Sequence, residues 1–196
     1  MTKVNKLLLI LFFTVMPFIV SKGQDVAIKS NLLYDLTTTI NLGVEAGLND
    51  KWTLDLSGNY NPWTFSNNKK WKHWLVQPEV KYWFCEKFNG SSLGAHLLGG
   101  QGNAGNVDIP INFLGTDFRV FRDHRFEGWF VGGGIAYNHS WMLSDRWNLE
   151  AGVGVGYIRF DYDKYECATC GSWVRQGVKD YFGFTKLAVN IVYIIK

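Results

Sequence analysis

The sequence predicts an all-β chain folded as an eight-stranded antiparallel up-and-down transmembrane β-barrel. Three observations predict it: strict alternation of apolar and polar residues, a secretory leader ahead of a glycine- and aromatic-rich chain, and connections that alternate between short and long. The alternation is clearest from Ile40 to Asn61. Ile40, Leu42, Val44, Ala46 and Leu48 interleave with Asn41, Gly43, Glu45, Gly47 and Asn49. After Asp50-Lys51, Trp52, Leu54, Leu56, Gly58 and Tyr60 interleave with Thr53, Asp55, Ser57 and Asn59. A period of two over two runs joined by an Asn-Asp-Lys turn is a β-hairpin. Each run has the roughly 9 to 11 residues that a tilted strand needs to cross a bilayer. One face is aliphatic with aromatic ends and the other is polar, the pattern of a membrane barrel.

Lys3 and Lys6 precede an apolar run from Leu7 to Val20, and Ser21-Lys22-Gly23 places small residues where a signal peptidase reads. This predicts a signal peptide over 1–23, cleavage before Gln24, and one outer-membrane barrel domain over 24–196. The apolar run is short for a transmembrane helix, and the junction has no cysteine to carry a lipid. All seventeen acids follow residue 24. Without Lys3, Lys6 and Lys22 the twenty basic residues fall to seventeen, so the mature chain is near neutral and carries no argument for nucleic acid.

Taken in order, a first strand is expected over 25–34 and a short connection over 35–38, followed by the hairpin. A polar loop fills 61–72. Strand four, 73–84, sets Trp74, Val76, Val80, Tyr82 and Phe84 against His73, Gln77, Glu79 and Lys81, with a bulge expected at Pro78, which cannot donate to a ladder. Strand five covers 92–101, after a turn over 86–91. Residues 102–127 read as the longest irregular segment. Strand six, 128–141, and strand seven, from Trp147 to Tyr157, flank the turn 143–146. A second long loop is expected over 162–181, and the last strand over 182–195.

Connections after strands two, four and six are short, and those after three, five and seven are long; only the short one after strand one breaks the trend. Outer-membrane barrels sort their connections this way, with short periplasmic turns, longer external loops and both termini on the periplasmic side. A secreted β-sandwich has no reason to sort loop length by parity.

The runs KSNLLYDLTTTINLGVEAGLNDKWTLDLSGNYNPW (29–63), WLVQPEVKYWFCEKFNGSSLGAHLLGG (74–100) and LSDRWNLEAGVGVGY (143–157) resemble a family of small secreted bacterial proteins known only as domain of unknown function 3575. The resemblance implies an outer-membrane β-barrel of the Gram-negative cell envelope, in some cases linked to fimbria-like surface systems. It implies no activity and no catalytic residues.

Glu45, Asp55, Glu79 and Glu150 share the polar face with Lys81, and Arg159 and Lys186 are placed with them. An eight-stranded lumen is just wide enough for side chains, so these charges are expected to pair as a plug, since an unpaired buried charge is costly. Two carboxylates can also form an acid and base pair, but no set of Ser, His and Asp accompanies them. Gly100-Gln101-Gly102-Asn103-Ala104-Gly105 fits the dinucleotide fingerprint by letter. It is followed by Asn106 to Pro110, which opens no helix, and reads as a flexible loop. Gly152, Gly154 and Gly156 are expected to face the lumen and leave room for bulky partners.

Cys167 and Cys170, in an exported loop, are expected to form a local disulfide, with free thiols as the alternative; half a zinc site lacks its second half. Cys85 is expected to be an unpaired, partly buried thiol near the opposite rim. His73, His96, His124 and His139 are scattered and suggest no metal site. No cofactor is expected. Arg119, Arg122 and Arg125, interleaved with Phe118, Phe121 and Phe126, offer an external binding loop for lipopolysaccharide phosphates or acidic glycans, weighed against an ordinary solvated loop.

The expected function is non-enzymatic: a structural or surface-binding protein of the cell outer membrane. Its expected partners are outer-membrane lipid, lipopolysaccharide, and a surface protein or glycan. The alternatives are an outer-membrane enzyme that modifies lipid A, which needs a nucleophile and base near the external rim, where the candidates Ser66 and Ser172 have no identified His and Asp partners, or a narrow channel, which the charged lumen disfavours.

Overall fold

The structure, a computed structural model, describes residues 25–107, 112–113, 116–117, 119–166 and 171–195. The expected signal peptide lies outside them. Eight strands form the fold: β1 (Val26–Asn31), β2 (Ile40–Gly47), β3 (Trp52–Asn61), β4 (Lys69–Trp83), β5 (Gly90–Gly105), β6 (Arg125–Met142), β7 (Trp147–Tyr165) and β8 (Trp173–Ile195). Each pairs antiparallel with the next in sequence. β8 returns to β1, with Val26 opposite Ile195. The ring is therefore closed over the six residues of β1, from Asn190 to Ile195 of β8, and has no free edge at that level.

Turns 48–51, 84–89 and 143–146 lie at the same end as both ends of the described chain, and 62–68 with the described residues of 106–124 and 166–172 follow the opposite ends of the strands. Local chemistry fixes these turns. Asn49 Oδ1 accepts hydrogen bonds from the Lys51 and Trp52 amides at 2.9 and 3.0 Å, the side-chain-to-backbone closure that makes asparagine a turn residue.

Several elements differ from the sequence expectation. The first strand stops at Asn31, and α1 (Leu32–Leu36) replaces its last residues. Asn31 caps this helix by accepting from the Leu33 amide at 3.1 Å. The 61–72 loop shortens to a two-residue strand and a tight turn, with β4 beginning at Lys69. β5 runs to Gly105, so the glycine run 100–105 is strand and not flexible loop. Of 102–127, the described residues among 106–124 lie outside the barrel strands, with α2 over Val120–Asp123. The 162–181 loop is mostly strand, because β7 reaches Tyr165 and β8 starts at Trp173.

Pro78 makes no bulge. It sits in register opposite Leu56 of β3, while the β4–β5 ladder skips Gln77 and Pro78 and resumes unshifted. A gap in one ladder absorbs the missing N–H. Two register shifts lie instead in β8: Gly154 pairs with Lys186 and Val155 with Phe184, leaving Thr185 as the extra residue, and Lys164 pairs with Arg175 and Tyr165 with Trp173, leaving Val174.

Candidate functional site

Successive residues of a strand point to opposite faces, so closing the sheet sends one set inward and the other outward. The inward set is polar. Glu45 and Lys81 have 0 % exposure and Glu150 has 1 %, whereas outward Leu97 and Ile135 have 66 % and 65 %.

The lumen is layered. Nearest the turns, Ala27, Trp83, Phe88, Val192 and Ile194 form an apolar cluster. The turn 84–89 delivers Phe88 into it through a left-handed backbone, φ 64°, and its ring lies 6.2 Å from that of Trp83. Trp83 Nε1 donates to Thr53 Oγ1 at 2.9 Å, and Thr53 donates to Glu45.

Above this cluster, Lys29 and Lys81 face three carboxylates. Lys29 Nζ is 2.6 Å from Glu45 and 3.4 Å from Glu150, and also pairs with Asp55. Lys81 Nζ is 3.0 Å from Glu45, 2.8 Å from Glu150 and 3.5 Å from Asp55. Asn190 Nδ2 donates to Glu150 at 2.9 Å. Higher still, Lys186 pairs with Glu79. Asn138 joins both, donating to Glu79 at 2.9 Å and accepting from Lys186 at 3.1 Å. Three lysines thus meet four carboxylates.

Glycines make this packing sterically feasible. A Cβ on Gly94 would overlap the Glu79 carboxylate, and one on Gly152 the Asn138 amide. Gly154 makes room for His96 and Lys186, whereas a Cβ on Gly156 would meet the backbone at Gly133.

Over the ion pairs lies a cavity of about 370 Å³. Lys29, Asp55, Asn59 and Gln77 line it from inside the barrel, Leu33 and Tyr34 from α1, and Leu42 and Leu187 from the outward faces of β2 and β8. His96 Nε2 and Thr185 Oγ1 are hydrogen-bonded at 2.9 Å across the lumen.

The fold brings together Glu45, Asp55, Glu79, Lys81, Glu150 and Lys186. Arg159 does not join them. It faces outward on β7, 3.7 Å from Asp161 and half exposed. Lys29, Asn138 and Asn190 belong to the cluster but escape the sequence reading; inward placement of Lys29 follows from outward Val26 and Ile28.

Arg119, just before α2, and Arg122, within it, are exposed, with Arg122 3.3 Å from Asp123. Arg125 is committed to the wall, 4.1 Å over the Tyr165 ring and 3.7 Å from Glu127. Phe121 and Phe126 pack against each other at 5.3 Å, and Phe118 is outside the described residues. Cys167 and Cys170 also lie outside them. Cys85 is a free thiol that is exposed and not partly buried, because it falls in the turn past the last paired residue of β4. Ser91 Oγ and His139 Nδ1 are 2.9 Å apart as partners across the β5–β6 ladder. Ser172 donates to Glu166 at 3.1 Å.

Outward, Trp52 is paired with Tyr82 at the turn end, their rings 5.1 Å apart, and Tyr60 with Trp74 toward the loop end. Trp147 and Tyr193 add a second contact at the turn end, 4.9 Å apart. Aliphatic side chains occupy the band between the two aromatic rows.

The chain matches none of the curated proteins and none of the solved structures with which it was compared. The sequence model of one family, described as protein of unknown function (DUF3575), matches residues 7–195, and the chain belongs to that family.

Proposed function

We propose that this chain is a non-enzymatic integral protein of the bacterial outer membrane that uses its loop end as a binding surface. The inverted burial carries the reading: ionised side chains fill the interior while aliphatic ones stand outside, an arrangement that water disfavours and a bilayer favours. Eight residues separate Trp52 from Tyr60. At about 3.4 Å per residue and a tilt of about 40°, that places the aromatic rows roughly 20 Å apart, near the height of an outer-membrane apolar band. No helix among the described residues is long and apolar enough to cross a membrane, a criterion that does not address crossing by strands.

The strands are unequal. β1 to β3 end near the upper aromatic row, whereas β6, β7 and β8 have 18, 19 and 23 residues and continue beyond it as a wall. Exposed Arg119 and Arg122 lie at that end, suited to lipopolysaccharide phosphates or an acidic surface partner, including a component of a fimbria-like assembly. The apolar cluster and ion pairs that fill the turn end argue against a channel.

The test is fractionation with topology mapping. The chain is expected to stay with membranes after alkaline carbonate washing and to be released by detergent. An epitope inserted after Glu166 is expected to be reachable on intact cells, and one after Ser144 only after permeabilisation. Recovery in the soluble periplasmic fraction contradicts the reading.

A further inference from the structure

One side of the barrel wall is incomplete. β1 ends at Asn31 and pairs with β8 only from Asn190 to Ile195. β8 from Trp173 to Val189 has β7 along one edge and, among the described residues, no strand along the other. The Asn31 side chain extends the ladder by one rung, accepting from the Val189 amide at 3.2 Å and donating to the Leu187 carbonyl at 3.3 Å. Above that rung the wall is open, and the 370 Å³ cavity lies there. Outward-facing Leu42 and Leu187 line the same cavity as inward-facing Lys29 and Asp55, so it passes through the wall and joins a polar floor to the apolar band.

The floor is not electrically satisfied. Asp55 is 5 % exposed. One of its carboxylate oxygens meets Lys29 and Lys81, but Oδ1 has no hydrogen-bond partner. A buried acceptor left unpaired is costly, more so when it carries charge. With four carboxylates against three lysines, a donor that brings positive charge would both satisfy the oxygen and neutralise the cluster.

We propose that this opening is a binding site for a single-chain amphiphile with an ammonium head. The head donates to Asp55 Oδ1, and the alkyl chain leaves between Leu42 and Leu187 into the bilayer. This rests on the membrane reading above.

The test uses the barrel in nanodiscs of zwitterionic lipid, titrated calorimetrically with dodecylammonium, dodecanol and methylammonium. Saturable one-site binding of dodecylammonium alone is expected. Asp55→Asn is expected to weaken it about tenfold or more, the effect of losing one charge-assisted hydrogen bond. Asn59→Phe, which fills the cavity from β3 without replacing a member of the ion pairs, is expected to abolish it and keeps the test decisive if the Asp55 variant does not fold. Equal binding of dodecanol overturns the role of the charge, and equal binding of methylammonium overturns the role of the opening. Binding that both variants leave unchanged overturns the site. A barrel that inserts into nanodiscs but binds no dodecylammonium overturns this inference alone; failure to insert overturns the membrane reading and this inference with it.

Discussion

Lys81 is wholly buried and holds three carboxylates within 3.5 Å, so its loss and the loss of a whole pair have different consequences. Lys81→Met leaves uncompensated negative charge in a water-poor lumen and is expected to destabilise the barrel by about 3–5 kcal/mol. The double change Glu79→Gln with Lys186→Met removes a pair together and is expected to lie within about 1 kcal/mol of the parent, because the desolvation penalty disappears with the attraction. Urea unfolding of the vesicle-inserted protein, followed by tryptophan fluorescence, separates the two outcomes. Asn31 works at three places: as the α1 cap, as donor to the Leu187 carbonyl and as acceptor from the Val189 amide. Asn31→Ala is expected to lose about 1–2 kcal/mol in the same assay.

Along a strand, what a substitution does depends on which medium it meets. Ile135 faces outward within the apolar band, and Ile135→Arg is expected to destabilise by about 2–4 kcal/mol in bilayers. Val178 is also exposed but lies on the part of β8 beyond the band. Val178→Arg is expected to change stability by about 0.5 kcal/mol or less, and equal effects at both sites would contradict the proposed placement of the bilayer. The same contrast explains what could be read from sequence. Where one face is apolar and exposed and the other polar and buried, only a period of two satisfies both faces, and the hairpin 40–61 and strands four to seven are legible. Beyond the band both faces tolerate polar residues, the alternation fades, and the strand extensions to Tyr165 and from Trp173 read as loop. α1 was hidden because Leu32-Leu33-Tyr34 is too short a run for its period to be determined. The Thr185 bulge depends on the register with β7, which no local pattern records. Only Val26 and Ile28 set the phase that sends Lys29 inward, because the polar Ser30 and Asn31 that follow it end the alternation.

The whole molecule is an inside-out barrel: an interior in which three lysines face four carboxylates, an apolar exterior between two aromatic rows, and one tall wall beyond them. Burying four carboxylates and three lysines is tolerable only because they face one another across a closed ring; exposing so much aliphatic surface is tolerable only if lipid covers it. Both statements reduce to which side of the sheet each residue occupies. The most direct measurement is therefore nitroxide scanning from Leu93 to Leu98 on β5, in a chain whose cysteines have been replaced, reconstituted in vesicles. The account predicts high accessibility to oxygen at 93, 95 and 97 and low accessibility at 94, 96 and 98, matching the alternation of exposed and buried positions there. High accessibility of 93, 95 and 97 to a water-soluble nickel chelate instead, or no period of two at all, would contradict it.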